Sequence, residues 1–233
     1  MNPVTRAGCA LLTQVTLAAC SLTACVAQEI VSFRTTDGGI VYAAEYGTGP
    51  QAVVLAHGGR FTKESWETQA PVLAASGFRV IAIDFRGRGQ SRGGPTSASR
   101  SDGAYFDVLA AVRYARETGA ETVSVVGASF GGGAAAQAAI EAPPGHIDRL
   151  VLLAHSAIAE PERLPGRKLF IVARDDTTGS GAQRLDTIRE QYDRARDPKE
   201  LLVLDGAAHA QFLFATDQAT RLMQEIIRFL AEP

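Results

Sequence analysis

Short apolar runs alternate with longer amphipathic or small-residue runs along most of this chain. Residues 29–34 and 40–46 alternate apolar and polar positions on either side of Asp37-Gly38-Gly39, which predicts an antiparallel hairpin. Further apolar, β-branched runs at 52–56, 79–83, 122–126, 150–154, 169–173 and 201–204 read as buried strands. Helical patterns fall between them, near 63–76, 105–117, 132–140 and 185–194, and a last one near 218–231 places Leu222, Ile226, Phe229 and Leu230 on one face. An antiparallel start followed by strands alternating with helices predicts an α/β fold. Its sheet should be mostly parallel and covered on both faces. No internal repeat or interdomain linker interrupts the pattern.

The run 122–126 leads directly into Gly127-Ala128-Ser129-Phe130-Gly131, and an Ala-rich helix follows. This G-x-S-x-G segment between a strand and a helix forces a sharp turn. Small residues must flank the serine, and its Oγ is then exposed at the sheet's edge, beside a helix N-terminus. A serine hydroxyl is a poor nucleophile and needs a base, a group that orients the base, and donors for the oxyanion. His209 follows the last strand in a loop of small residues, at the edge where ligands gather in open α/β sheets, and is the candidate base. His57 ends a strand in His57-Gly58-Gly59 and reads as structural. His155 ends another and reads as either a pocket wall or a plain loop residue. His146 lies in a Pro-Pro-Gly turn and carries no chemistry. Asp175 and Asp176 both follow the 169–173 strand, and either completes the order Ser…Asp…His. The oxyanion donors are the backbone N–H of Phe130 and that of Gly59 or Arg60.

These pieces together resemble the α/β-hydrolase family over nearly all of residues 29–233. The matching motifs are His57-Gly58-Gly59, the Asp84-Phe85-Arg86-Gly87-Arg88-Gly89-Gln90-Ser91 turn, the 127–131 elbow and the Gly206…His209 segment. The resemblance implies an α/β-hydrolase fold in which the His-Gly element forms the oxyanion loop. The family's acid often follows a Gly-x-x-Asp pattern; here Ala173-Arg174-Asp175-Asp176 places it at Asp176 and leaves Asp175 as the alternative. A serine at the elbow excludes the family's dehalogenase and epoxide-hydrolase branches, which use aspartate there. The gap between His155 and Lys168 is too short for a cap domain. The site should be open, with Phe61, Phe130, His155, Phe212 and Phe214 as candidate walls. The expected activity is a lidless serine hydrolase of carboxylic esters on a small acyl substrate. Amide, peptide or thioester hydrolysis by the same triad is the alternative, and a non-catalytic binding protein on this fold a further one.

Composition narrows the partners. The net charge of -2 and the lack of a basic stripe argue against nucleic acid. Arg86, Arg88, Arg92 and Arg100 cluster in one stretch that reads as a solvated loop. No His/Cys cluster has metal-ligand spacing and no G-x-G-x-x-G follows a strand, so neither metal nor organic cofactor is expected. Oligomeric state is not legible in the sequence. Cys9, Cys20 and Cys25 are the 3 cysteines and all precede the body of the chain. Arg6 is the only charge before Gln28. A short polar start, an apolar run and small residues at its end form a secretory leader over 1–27, followed by a hydrolase domain over 28–233. Leu22-Thr23-Ala24-Cys25 resembles a lipobox, with lipidation of Cys25 and membrane attachment; Leu17-Ala18-Ala19-Cys20 is a second match, and simple cleavage after Ala27 a rival. Either route predicts export. Deleting residues 1–26 should therefore leave a folded, active protein. Mass spectrometry of the full chain from a Gram-negative host should find a shortened N-terminus; an intact Met1 on cytoplasmic protein, with a control leader cleaved, contradicts export.

Overall fold

The computed structural model describes residues 28–95 and 100–232; the predicted leader, with Cys25, lies outside them. Eight strands form one sheet: β1 (Gln28–Arg34), β2 (Ile40–Tyr46), β3 (Gln51–Ala56), β4 (Arg79–Ile83), β5 (Thr122–Ala128), β6 (Arg149–Leu153), β7 (Arg167–Ala173) and β8 (Lys199–Leu204). Their order is β1-β2-β4-β3-β5-β6-β7-β8. β1 pairs antiparallel with β2, and β2 with β4; every other pairing is parallel. The chain leaves β3 toward β4 and returns on the other side as β5. The ends of β3 and β5 therefore lie side by side at the point where the strand order reverses, the place where ligands bind in such sheets.

Alternation along each central strand sends side chains into two separate cores. Ala52, Val54 and Ala56 of β3 pack with Val123 and Val125 of β5 on one face, beneath α2 (Arg100–Glu117), α3 (Phe130–Glu141) and α4 (Arg184–Arg194). Val53 and Leu55 face the other way with Val126, beneath α1 (Gln69–Ala75) and α5 (Ala219–Ala231). Burial on both faces is why these strands read as continuous apolar runs. On α5 Leu222, Ile226, Phe229 and Leu230 are all buried, as their spacing predicts.

Three elements depart from the sequence expectation. The helix expected over 63–76 is split into a 3-10 turn, Lys63–Trp66, and α1. Pro71 lacks an N–H and crowds the carbonyl four residues back, so a helix can hold it only in its first turn. α2 begins five residues before the expected Tyr105, because Ala104, Val108, Ala111, Val112 and Ala115 form a buried stripe that outweighs Gly103. Arg86 is not solvated. It is buried between Asp37, at 2.6 Å, and Asp107, at 2.8 Å, and joins the β1–β2 turn to α2. Burial raises the Asp107 carboxyl above its ordinary value against the opposing pull of Arg86.

Between β6 and β7 there is no cap, only a connector with the 3-10 turn Pro161–Arg163. Side chains from beneath fasten it. Gln191 Oε1 accepts from the Ile158 N–H at 2.7 Å and from His155 Nε2 at 3.2 Å. Lys168 Nζ, on a buried side chain, donates to the Gly166 carbonyl at 2.7 Å. Burial pushes the His155 imidazole down to about 4, with the Arg184 charge adding to the shift and the Gln191 hydrogen bond opposing it. In the unfolded chain the same ring titrates near 6.5. The unfolded state thus binds more protons as pH falls from 6.5 to about 4, and stability is lost across that window. His155 alone should remove ~3 kcal/mol there. Urea midpoints measured at intervals across the window should fall less steeply for His155→Phe than for the parent; parallel curves would contradict the assignment.

Candidate active site

β5 runs straight into the elbow. Ser129 has φ 50° and ψ -115°, a conformation that a non-glycine residue rarely adopts. The strain follows from how closely α3 approaches the sheet. A Cβ on Gly131 would stand 2.3 Å from the Ala56 carbonyl oxygen, and one on Gly127 2.5 Å from the Gly131 oxygen. The chain has a single residue, Ser129, in which to turn from strand to helix. Hydrogen bonds hold that turn. The Ser129 N–H donates to the Leu153 carbonyl at 2.9 Å. Its own carbonyl accepts from the N–H groups of Gly132, Gly133 and Ser156 at 3.0, 3.2 and 3.1 Å. Ala154 and Ala210, beside the site, are the other non-glycine residues with positive φ among those described.

His209 leaves the loop after β8 and reaches the serine. Its Nε2 lies 2.8 Å from Ser129 Oγ, and its Nδ1 2.7 Å from Asp176 Oδ2. A carboxylate accepts only, so Nδ1 carries the proton and Nε2 is free to accept from the hydroxyl. Asp176 is almost fully buried at the end of β7, 1% exposed, whereas Asp175 is exposed and ties its N–H to the Gly206 carbonyl at 2.9 Å. Of the two adjacent aspartates the fold thus brings Asp176 to the histidine. Arg184 stands against the same carboxylate oxygen, its Nε 3.0 Å from Asp176 Oδ2. That N–H is buried and is not directed at the oxygen as a hydrogen bond.

The loop after β3 is fastened on two sides. Gln211 Oε1 accepts from the Gly58 N–H at 2.7 Å, and the Gln211 amide donates to Ser65 Oγ. Arg88 Nη2 donates to the Gly59 carbonyl at 2.7 Å. A Cβ on Gly59 would meet Phe130 Cβ at 3.4 Å, so this loop lies against the elbow. His57 is structural, as its sequence position implies. It is fully buried, with Nδ1 donating to the Gly58 carbonyl at 2.8 Å and Nε2 accepting from the Phe85 N–H at 3.3 Å. Arg88, which the sequence places in a solvated loop, is instead partly buried and bonded to Gly59; Gln211 and Arg184 escape sequence reading, the only hint being that Gln211 follows His209 by two residues.

A cleft of about 460 Å³ opens over Ser129 and His209, lined also by Gly58, Gly59, Arg60, Phe61, Phe130, Phe212 and Arg184. Phe61 and Phe212 meet edge to face with ring centres 5.4 Å apart and form one wall. Two expected wall residues lie elsewhere. His155 is buried beneath the connector against Phe170, and Phe214 packs on Trp66 near α5. Among the described residues no group of three or more His, Cys, Asp or Glu is placed to hold a metal ion.

The family model of the alpha/beta hydrolase fold matches residues 51–182. The chain belongs to the α/β-hydrolase family. It is 36% identical over 111 residues to the dihydrolipoyllysine-residue acetyltransferase component of an acetoin cleaving system of Cupriavidus necator, a match covering 48% of this chain and 28% of that protein. It is 32% identical over 120 residues to a non-heme chloroperoxidase of Streptomyces lividans, covering 51% of this chain and 42% of that one. The chain thus spans less than half the length of these curated relatives. An esterase of Pyrococcus furiosus superimposes with a TM-score of 0.72 at 18% identity, over 88% of this chain and 90% of that one.

The close approach at the elbow makes a sharp stability prediction. Gly131→Ala should destabilise the protein by at least ~2 kcal/mol, because the obstructing atoms are backbone and cannot swing aside. Gly179→Ala, with nothing within 4 Å, should be nearly neutral. Chemical denaturation of the two variants checks this; equal stability would mean that α3 does not press on β3 as described.

Proposed function

We propose that this protein is a serine hydrolase of carboxylic esters. The observation that carries the reading is the unbroken line Asp176–His209–Ser129, with both contacts at hydrogen-bond distance and the serine held at a strained strand-to-helix turn. Ser129 Oγ attacks the acyl carbon as His209 Nε2 takes its proton. Asp176 keeps the imidazole in the tautomer that can accept and stabilises the cation that forms. Negative charge on the former carbonyl oxygen is met by the Phe130 N–H and by that of Gly59 or Arg60, at the start of α3 where the helix dipole adds to the effect. Gln211 and Arg88 hold the second donor loop in place before substrate arrives, so little reorganisation is needed as the charge develops. His209 then returns its proton to the leaving alcohol. A water activated by the same nitrogen releases the acid.

The open cleft and the absence of a cap favour small or short acyl groups. The leader over 1–27 and its Cys25 support export, with or without a lipid anchor. The relatives span several chemistries, so the site geometry and not the likeness carries the assignment to esters.

Ser129→Ala should abolish hydrolysis of p-nitrophenyl butyrate by the purified protein. Asp176→Asn should lower kcat by up to about 10⁴, while Asp175→Asn should change it little. Steady-state kinetics of the three variants test this. Retained activity in Ser129→Ala moves the nucleophile elsewhere, and the reverse order of the two aspartates moves the acid to Asp175.

A further inference from the structure

We propose that Arg184 receives a carboxylate carried by the substrate, so that the preferred esters are monoesters of short dicarboxylic acids. The inference rests on the ester-hydrolase reading and names its substrate class.

The residues lining the cleft include two cations, Arg60 and Arg184, and no carboxylate. Arg60 is exposed. Arg184 is different: its side chain is 19% exposed, it lines the cleft, and it sits at the first residue of α4. A guanidinium has five N–H donors in a planar fork. Among the described residues Asp176 is the anion paired with Arg184, and its Oδ2 already accepts from His209. Among the described residues Arg184 Nε is buried and paired with Asp176 only as an ion, at 3.0 Å and without a directed hydrogen bond, while its two Nη groups are not among the buried unpaired atoms. The Nη donors at the cleft are therefore open to solvent and to a ligand, not committed within the protein. A carboxylate entering the cleft offers two acceptor oxygens in the geometry that the fork matches best.

The placement also bears on the chemistry. As Ser129 attacks, His209 becomes a cation and draws on the charge of Asp176. Arg184 competes for the same carboxylate oxygen. An anion from the substrate would engage the guanidinium and leave more of the Asp176 charge to the imidazolium. A charged substrate should therefore gain in the chemical step as well as in binding. Along this line only the Asp176 carboxylate and the His209 ring lie between Arg184 and the Ser129 hydroxyl. The carboxylate must then be only a few carbons from the scissile carbonyl.

The test compares monomethyl succinate, glutarate and adipate with neutral methyl esters of matching chain length, at low salt. For the best of the three diacids kcat/KM should exceed that of its neutral partner by about 10-fold or more, the range of a charge-assisted pair. The ratio should fall to about one in Arg184→Met and be partly kept in Arg184→Lys. Free glutarate should inhibit neutral-ester hydrolysis by the parent protein competitively where pentanoate does not, a measurement that needs no variant to fold. A ratio near one in the parent protein overturns the proposal. So does an equal loss on both substrate types in Arg184→Met, which would make Arg184 only a support for Asp176. In both cases activity on the neutral ester leaves the hydrolase reading standing. No hydrolysis of any ester by the parent protein would remove that reading, and this inference with it.

Discussion

α3 begins one residue after β5 ends, and its first turn lies directly on the carbonyls of Ala56 and His57. Everything at the site depends on this contact. It requires glycine at 127 and 131, since a single methyl group there would meet backbone at 2.5 and 2.3 Å. It forces Ser129 to φ 50° and so lifts its hydroxyl off the sheet. It also brings the start of α3 against the loop after β3, where Gly59 faces Phe130. The strain is supported from outside the turn. β6 receives the Ser129 N–H, and the first turn of α3 together with Ser156 donates to its carbonyl.

Around that fixed point the polar groups are arranged as two clamps. One is the buried Asp176, which holds His209 toward Ser129 and is itself flanked by Arg184. The other is the pair Gln211 and Arg88, which grip the Gly58 N–H and the Gly59 carbonyl from opposite chain segments. Gln211 stands two residues after His209, so one short turn sets both the imidazole and the loop opposite it. In the proposed mechanism this presetting matters, because dipoles already in place are not reorganised as charge develops. The connector that replaces a cap is held by Gln191, Lys168 and Arg194 from below, and so leaves the cleft uncovered.

Much of this was legible in the sequence, for a definite reason. Strands buried on both faces announce themselves as apolar runs, and the elbow is a local motif whose meaning comes from the strand before it and the helix after it. The order Ser129, Asp176, His209 is readable because each residue closely follows a strand that the apolar pattern marks. What failed was information carried by distant partners. The Gln211–Gly58 bond joins residues 153 apart, and Arg88 reaches Gly59 across 29. Neither leaves a pattern in the chain. Arg86 reads as one of several loop arginines until Asp37 and Asp107 fold around it. The Gly-x-x-Asp likeness points to Asp176 but leaves Asp175 open, since both follow the strand; the difference is that one is buried and the other faces solvent. His155 and Phe214 were expected at the cleft because they are aromatic or follow a strand, yet core packing claims both.

The central claim is that Ser129 is activated by its surroundings and not merely exposed. A fluorophosphonate probe reports this directly, since it reacts with an activated serine and leaves ordinary ones untouched. The account predicts stoichiometric labelling of the native protein, located by peptide mass spectrometry on Ser129. It also predicts loss of labelling in denatured protein and in His209→Ala. Native protein that stays unlabelled, or that carries the phosphonate on another serine, would contradict it.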